Sequence, residues 1–352
     1  MCMNILGIET SCDETGVAIV NDRREILADL LLSQIDTHTV FGGVVPEIAA
    51  RSHLDHLDRL IAAALTEAKL RFQDLDGVAA TSGPGLIGGV MVGMMAGKAI
   101  SLATCKPFIG INHLEAHLLT PRLVEDIKFP YLVLLVSGGH TQILVAEAIG
   151  TYHLWGTTRD DAVGECFDKS AKLMGLPYPG GPNLEKLAKN CSDPSRALRD
   201  FPFSIPLQHS RDLDFSFSGL KTRLRNVFEQ LSNPDEDDLA DMAYAFQHTI
   251  AETLSLRVHK AMSRFQEIYH VQQPCLIVCG GVSANQYLRG RLKDTCKDLG
   301  FEFMAPPLKY CTDNGVMVAW AGVERLKVGL TSPLTLPARP RWPLENLKED
   351  VS

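Results

Sequence analysis

The stretch that most constrains the fold is Tyr131-Leu132-Val133-Leu134-Leu135-Val136-Ser137-Gly138-Gly139-His140-Thr141-Gln142-Ile143-Leu144-Val145-Ala146. An apolar run of strand length stops at a Ser-Gly-Gly-His turn and a second run then resumes, which predicts a tight strand-turn-strand. The turn has two readings. It is a plain hairpin, or it is a phosphate cradle, because glycines let backbone N–H groups converge on an anion. Asn4 to Val20 repeats the plan of apolar strand, small polar turn and apolar strand. Two such hairpins, each opening a half of the chain, predict a duplicated two-lobed α/β protein with a nucleotide cleft between the lobes.

Length and composition agree with this. A chain of 352 residues buries a large core and has room for two domains. A net charge of −8 argues against a generic nucleic-acid coat but leaves room for a local basic patch. Nine cysteines without paired spacing suggest a reducing, cytoplasmic compartment, and Cys275 and Cys279 read as core residues. The longest apolar candidate, residues 86–104, is broken by Gly88, Gly89, Gly93, Gly97 and Lys98, so no membrane-spanning segment is expected.

After the first hairpin and a third strand, Gly42-Gly43-Val44-Val45-Pro46 leads into a helix whose apolar positions Leu54, Leu57, Ile61, Ala64, Leu65 and Ala68 keep the helical period. Gly89, Gly93 and Gly97 give the next helix a flat face for close packing, and a phosphate site at its start is the competing reading. His113 and His117 stand one turn apart and so share a helix face on which they can bind one metal. Glu115 points the other way, which departs from the zincin pattern, and a third ligand has to come from elsewhere. Asp313 is a candidate for it, with a helix N-cap at Thr312 or Asp313 as the plainer reading.

The division expected is an N-terminal lobe over 1–128, joined by the helix 313–328, a C-terminal lobe over 129–312, and an extended tail over 331–352. Asp160, Asp161, Glu165 and Asp168 cluster around a helix start, where acidic residues complement the helix dipole. Asp168, close in sequence to Tyr178-Pro179-Gly180-Gly181-Pro182, is the better candidate for gripping ribose hydroxyls. Residues 196–225 interleave arginines and lysine with Phe201, Phe203, Phe215 and Phe217, a basic, aromatic surface suited to RNA. The loop Gly280 to Asn285, between a buried strand and a helix, is a place for ribose or adenine near backbone, with Asn285 supplying an amide.

Taken in order, Glu9-Thr10-Ser11-Cys12-Asp13-Glu14-Thr15, Gly42 to Glu47, His113-Leu114-Glu115-Ala116-His117, Ser137 to Thr141, Phe215 to Lys221, Gly280 to Asn285 and Cys311 to Gly315 resemble the bacterial TsaD family of tRNA threonylcarbamoyladenosine transferases. The resemblance covers almost the whole chain. It implies the fold of actin, hexokinase and the heat-shock ATPases. It implies transfer of a threonylcarbamoyl group from threonylcarbamoyl-AMP to N6 of the adenosine beside the anticodon, in tRNAs reading codons that begin with A, with release of AMP. The family's metal ligands fall on His113, His117 and Asp313, with iron the usual metal and zinc or magnesium the alternatives. Its donor-binding positions fall on Val136, Ser137, Gly138, Gly139, His140, Asp168, Gly181 and Asn285, and Glu185 stands where the family often has Asp. The implied partners are tRNA, TsaB and TsaE, with a TsaC-type synthase making the donor. A metal-dependent peptidase and a small-molecule kinase on the same fold are the alternatives.

Overall fold

The structure is a computed structural model that describes residues 2–34, 38, 41, 43–231 and 234–350; Gly42, expected in the loop before the first long helix, lies outside the described residues. The chain divides into two compact units. One comprises Met1–Phe129, Ala146–His153 and Pro306–Ser352, the other Pro130–Val145 and Leu154–Ala305.

The first unit is built on strands β1 (Asn4–Glu9), β2 (Glu14–Asn21), β3 (Ile26–Ser33), β4 (Gly77–Gly83) and β5 (Phe108–Asn112), ordered β3-β2-β1-β4-β5. The β1–β2 and β2–β3 pairs are antiparallel, whereas β1–β4 and β4–β5 are parallel. Helices α1 (Pro46–Ala68), α2 (Ile87–Thr104), α3 (His113–Leu119) and α4 (Pro121–Val124) follow in turn. β1 is apolar between Asn4 and Glu9 because it is covered on both faces. Leu6 and Ile8 join a core with Leu57, Ile61 and Leu65 of α1 and Met94 of α2. Ile5, on the opposite face, meets the late helix α11 (Gly315–Lys327) through residues such as Val316 and Trp320.

Glycines set how closely α11 sits on the sheet. A Cβ at Gly7 would lie 2.3 Å from the Ala319 nitrogen, and one at Gly16 would lie 2.5 Å from the Gly315 nitrogen. The start of α11 therefore rests directly on β1 and β2, which fixes the position of Asp313 just ahead of it. The glycine face of α2 works the same way: a Cβ at Gly89 or Gly93 would come within 2.3 Å of Thr10. By length and composition α2 is apolar enough to cross a membrane, contrary to the sequence expectation, because its interspersed glycines lower hydropathy only slightly. In this fold its glycine face is buried on the sheet.

The second sheet repeats the strand order. Strands β6 (Tyr131–Val136), β7 (Thr141–Ala148), β8 (Thr151–Thr157), β9 (Cys275–Cys279) and β10 (Glu302–Met304) run β10-β9-β6-β7-β8. In each sheet the third, second and first strands are followed by the fourth and fifth. Helices α5 (Val163–Leu173), α6 (Gly180–Ala188), α7 (Pro194–Asp200), α8 (Ser218–Gln230), α9 (Glu236–Tyr269) and α10 (Gln286–Asp298) surround it. The 34-residue α9 supplies Phe246, Leu254 and Phe265 to the core.

One sequence expectation needs correction here. Phe201, Phe215 and Phe217 are buried in this core and Phe203 is only partly exposed, so residues 196–225 do not present an aromatic surface. Phe215 and Phe217 alternate along an extended segment and turn inward together. Arg196 and Lys221 are paired with Asp241 and Asp161 at 2.6 Å, and Arg199, Arg211, Arg223 and Arg225 are exposed, the last 3.9 Å from Glu229. The tail from residue 331 is extended but not detached: Leu336, Trp342, Leu344 and Leu347 are buried. The Asn112 amide donates to the Trp342 carbonyl at 2.8 Å, and Ser332 Oγ accepts the Gly110 N–H at 3.0 Å.

Candidate functional site

In the first unit the site begins where β5 turns into α3. Asn112 ends the strand and caps the helix, its Oδ1 accepting from the amides of Leu114 and Glu115 at 2.9 and 3.3 Å. That cap starts the helix at His113 and puts His117 one turn on, on the same face. Asp313 reaches the pair from the other side. Asn314, not Thr312 or Asp313, is the N-cap of α11, accepting from the Met317 amide at 2.9 Å. The Asp313 carboxylate is thereby left for the histidines, and its Oδ1 lies 3.0 Å from His117 Nε2 and 3.3 Å from His113 Nε2.

These three side chains offer donor atoms within 4.8 Å of one another. Both imidazoles turn the same nitrogen to one carboxylate oxygen, a set of hard and borderline donors that suits a divalent first-row metal ion. His117 Nδ1 is buried without a hydrogen-bond partner among the described residues.

Charge dominates the electrostatics. Burial opposes ionisation of Asp313, but the charge of His113 and hydrogen bonds from both histidines outweigh it and hold the carboxyl far below its usual range. Burial likewise disfavours a charged His113, yet Asp313 and Glu9 together raise its pKa well above the ordinary value. Nearby, burial first and the charges of Asp313 and Asp13 next push Glu14 up to about 9.

Glu115 faces away from this group, as the helical spacing predicts. Its carboxylate accepts from Arg325 Nη1 at 2.8 Å, the Tyr152 hydroxyl at 2.9 Å and the Gly150 amide at 3.2 Å. It is thus committed to joining α3 to α11 and is not a general base beside the histidines. Glu9 is the residue that sequence reasoning did not single out: it is fully buried and touches His113. The available signal was a lone charge ending the apolar strand Ile5-Leu6-Gly7-Ile8.

The second unit gathers the remaining predicted residues. Between β6 and β7 the Ser137 amide donates to the His140 carbonyl at 2.8 Å, while Ser137 Oγ accepts from the amides of Gly139 and His140 at 3.3 and 3.0 Å. Gly164, in the first turn of α5, lies against this turn, and a Cβ there would meet the Ser137 carbonyl at 2.6 Å. Gly280, with φ of +89°, similarly backs onto Val136. From α5, Asp168 Oδ1 accepts from the amides of Gly180 and Gly181 at 2.8 and 3.2 Å, holding the start of α6. Burial raises its pKa and those two hydrogen bonds partly offset the rise. Glu185 on α6 accepts from the Gln286 amide at 3.1 Å. Next to it Asn285 caps α10, accepting from the Leu288 amide at 3.0 Å and donating to Gln247 at 2.9 Å. Val136 to His140, Asp168, Gly181, Glu185 and Asn285 thus belong to one connected patch of strand ends and helix starts.

Asp160 and Asp161 precede α5, and Glu165 is the acidic residue in its first turn. Asp160 takes hydrogen bonds from Ser216 Oγ, Ser218 Oγ and the amides of Phe217 and Ser218, anchoring the segment that leads into α8. Asp161 pairs with Lys169 and Lys221.

The two sheets with their shared strand order have the α/β fold of actin, hexokinase and the heat-shock ATPases, and a two-histidine, one-carboxylate group lies in the unit built on the first of them. HypF from T. kodakarensis has the same fold, with a TM-score of 0.62 at 13% sequence identity, over 93% of this chain and 48% of that one. The family model described as TsaD, tRNA N6-adenosine threonylcarbamoyltransferase, matches residues 25–320. Proteins of that name from Sinorhizobium medicae and Paramagnetospirillum magneticum are 53% and 55% identical to the chain, each over 97% of it and over 96% and 97% of their own lengths. The chain belongs to the tRNA N6-adenosine threonylcarbamoyltransferase family, whose members are acyl-transferring enzymes that modify tRNA.

Proposed function

We propose that this chain transfers the threonylcarbamoyl group of threonylcarbamoyl-AMP to N6 of the adenosine beside the anticodon in tRNAs reading codons that begin with A. The observation that carries this is identity above half with transferases of that name over nearly the full length of both chains. The donor is a mixed anhydride. The adenosine amine attacks the carbamoyl carbon, the bond from that carbon to the phosphate oxygen breaks, AMP leaves with the electron pair, and the amine gives up a proton. A leaving group this good needs no covalent nucleophile, so positioning and charge stabilisation supply the rate.

His113, His117 and Asp313 are the residues that would hold a metal ion, iron in our reading. Bound there, the ion supplies a positive charge that polarises donor oxygens. The rest falls to the second unit. The turn at Ser137 to His140 takes the donor phosphate, for which the amides now turned to Ser137 Oγ are the available donors. Asp168, Gly181, Glu185 and Asn285 orient the ribose and base. TsaB and TsaE act with the chain and a TsaC-type synthase supplies its donor. The nine cysteines, all free thiols, fit a cytoplasmic setting.

The test is nucleoside mass spectrometry on tRNA from cells depleted of the protein, with wild type or Asp313→Ala added back. Threonylcarbamoyladenosine is expected to disappear on depletion and to return with wild type alone. Unchanged modification after depletion would overturn the reading.

A further inference from the structure

Glu9, the last residue of β1, has no exposed surface. A carboxylate in that position is tolerated only when its oxygens are met by donors. Oε1 accepts from the Ser11 amide at 2.5 Å, and Oε2 accepts from the Thr81 hydroxyl at 2.5 Å and lies 3.1 Å from His113 Nδ1. Ser11 Oγ is also 3.1 Å from that nitrogen. The other nitrogen of the same ring faces Asp313.

We infer that Glu9 is a positioning residue: it accepts the Nδ1–H of His113, so that Nε2, aimed at the point that His117 and Asp313 also face, is the nitrogen left to ligate a metal ion. This rests on the metal-binding reading given above. A neutral imidazole carries one N–H, and the nitrogen that holds it cannot be a ligand. A serine hydroxyl either donates or accepts and so selects neither tautomer. An ionised carboxylate only accepts, and it places the hydrogen on Nδ1. The Ser11 amide and the Thr81 hydroxyl hold both oxygens of Glu9 in place, so the carboxylate cannot turn away. His117 lacks such a brace, since its Nδ1 has no partner among the described residues. The two histidines are therefore held by different means, His113 by a buried anion and His117 by its place in the helix.

Glu9→Gln tests the inference. The Ser11 amide requires an oxygen opposite it, so the glutamine seats its NH2 against Thr81 and His113 Nδ1. That NH2 donates, Nδ1 must accept, and the ring hydrogen moves to Nε2. With zinc as the probe and the full chain as the protein, chelator competition should show affinity weakened about 10–100-fold. Proton–nitrogen correlation spectra of zinc-loaded, histidine-labelled wild type should show a hydrogen-bonded Nδ1–H on His113, assigned through His113→Ala, and in the zinc-loaded variant that hydrogen should lose its hydrogen bond, shift and exchange faster. A melting curve separates this from a loss of fold. Glu9→Asp keeps an accepting anion at shorter reach and should fall between the two.

Unchanged zinc affinity in Glu9→Gln, or a wild-type His113 without an Nδ1 hydrogen, would overturn the inference. The second of these needs no variant to fold. Wild type that binds no zinc, or binds it equally well as His113→Ala, would overturn the metal reading and this inference with it. Zinc binding that depends on His113 but not on Glu9 would remove this inference alone.

Discussion

Around His113, His117 and Asp313 the chain brings together charged side chains; around Ser137 to His140 it brings together backbone. The first group needs a buried scaffold. α3 is tied to α11 through the Glu115–Arg325 pair, both partners buried, and the histidines meet the carboxylate at 3.0 and 3.3 Å. The second group needs room. Gly138 and Gly139 have nothing near where a Cβ would be, while Gly164 and Gly280 let the neighbouring helix and loop approach to touching distance. A site made of charges is fixed by tertiary ion pairs, whereas a site made of amides is fixed by small residues at strand ends.

If that contrast is right, the largest effect comes from the scaffold of the first site. Arg325→Ala should cost about 3–5 kcal/mol in urea unfolding, because it leaves Glu115 buried without its counterion. A much smaller loss would mean that Tyr152 and Gly150 alone satisfy that carboxylate, and the contrast would weaken. Asp313→Ala should lower the rate of tRNA modification in a reconstituted assay by about 10²–10³-fold, as expected for loss of a charged group at a reacting centre. The variant should still fold, since the caps of α3 and α11 are separate side chains, but its melting temperature should fall because His113 and His117 lose their carboxylate partner.

In the second site the effects should be smaller and local. Asp168→Ala leaves the Gly180 and Gly181 amides unpaired and should cost about 1–3 kcal/mol, with faster hydrogen exchange at the start of α6. Asn285→Ala removes the cap of α10 and should cost about 1 kcal/mol by denaturant titration. The smallest effect is on pH dependence at Asp160. Burial raises its pKa, but hydrogen bonds from Ser216, Phe217 and Ser218 lower it further, for a net depression. A depressed carboxyl stabilises the fold above its unfolded pKa and loses that contribution as pH falls through the folded value. Asp160→Asn should therefore flatten part of the acid limb of the stability curve, by lowering stability slightly at neutral pH while leaving it nearly unaffected below the folded pKa.

Much of this was legible beforehand. The helical spacing of His113 and His117 put them on one face, and the same spacing turned Glu115 away. Gly89, Gly93 and Gly97 announced close packing, which the contact with Thr10 bears out. The aromatic surface expected over residues 196–225 failed because Phe215 and Phe217 alternate inward, and whether an alternating segment faces core or water is not written in the segment itself. Asp160 resembled a helix-dipole complement by position alone, yet its hydrogen-bond partners lie 56 to 58 residues further along the chain.

The sequence by itself determined the two apolar hairpins, the duplication they imply, the periodicities of the helices and the residue types at the candidate site, because these depend on neighbours close in the chain. Only the tertiary structure decided that Asn314 caps α11 and leaves Asp313 to the histidines, that Arg325 neutralises Glu115, and that Glu9 lies under His113. Apart from the Asn314 cap itself, each of these pairs donor with acceptor, or charge with charge, across long stretches of chain. Burial makes an unpaired charge costly, so the fold that forms is one that brings such partners together.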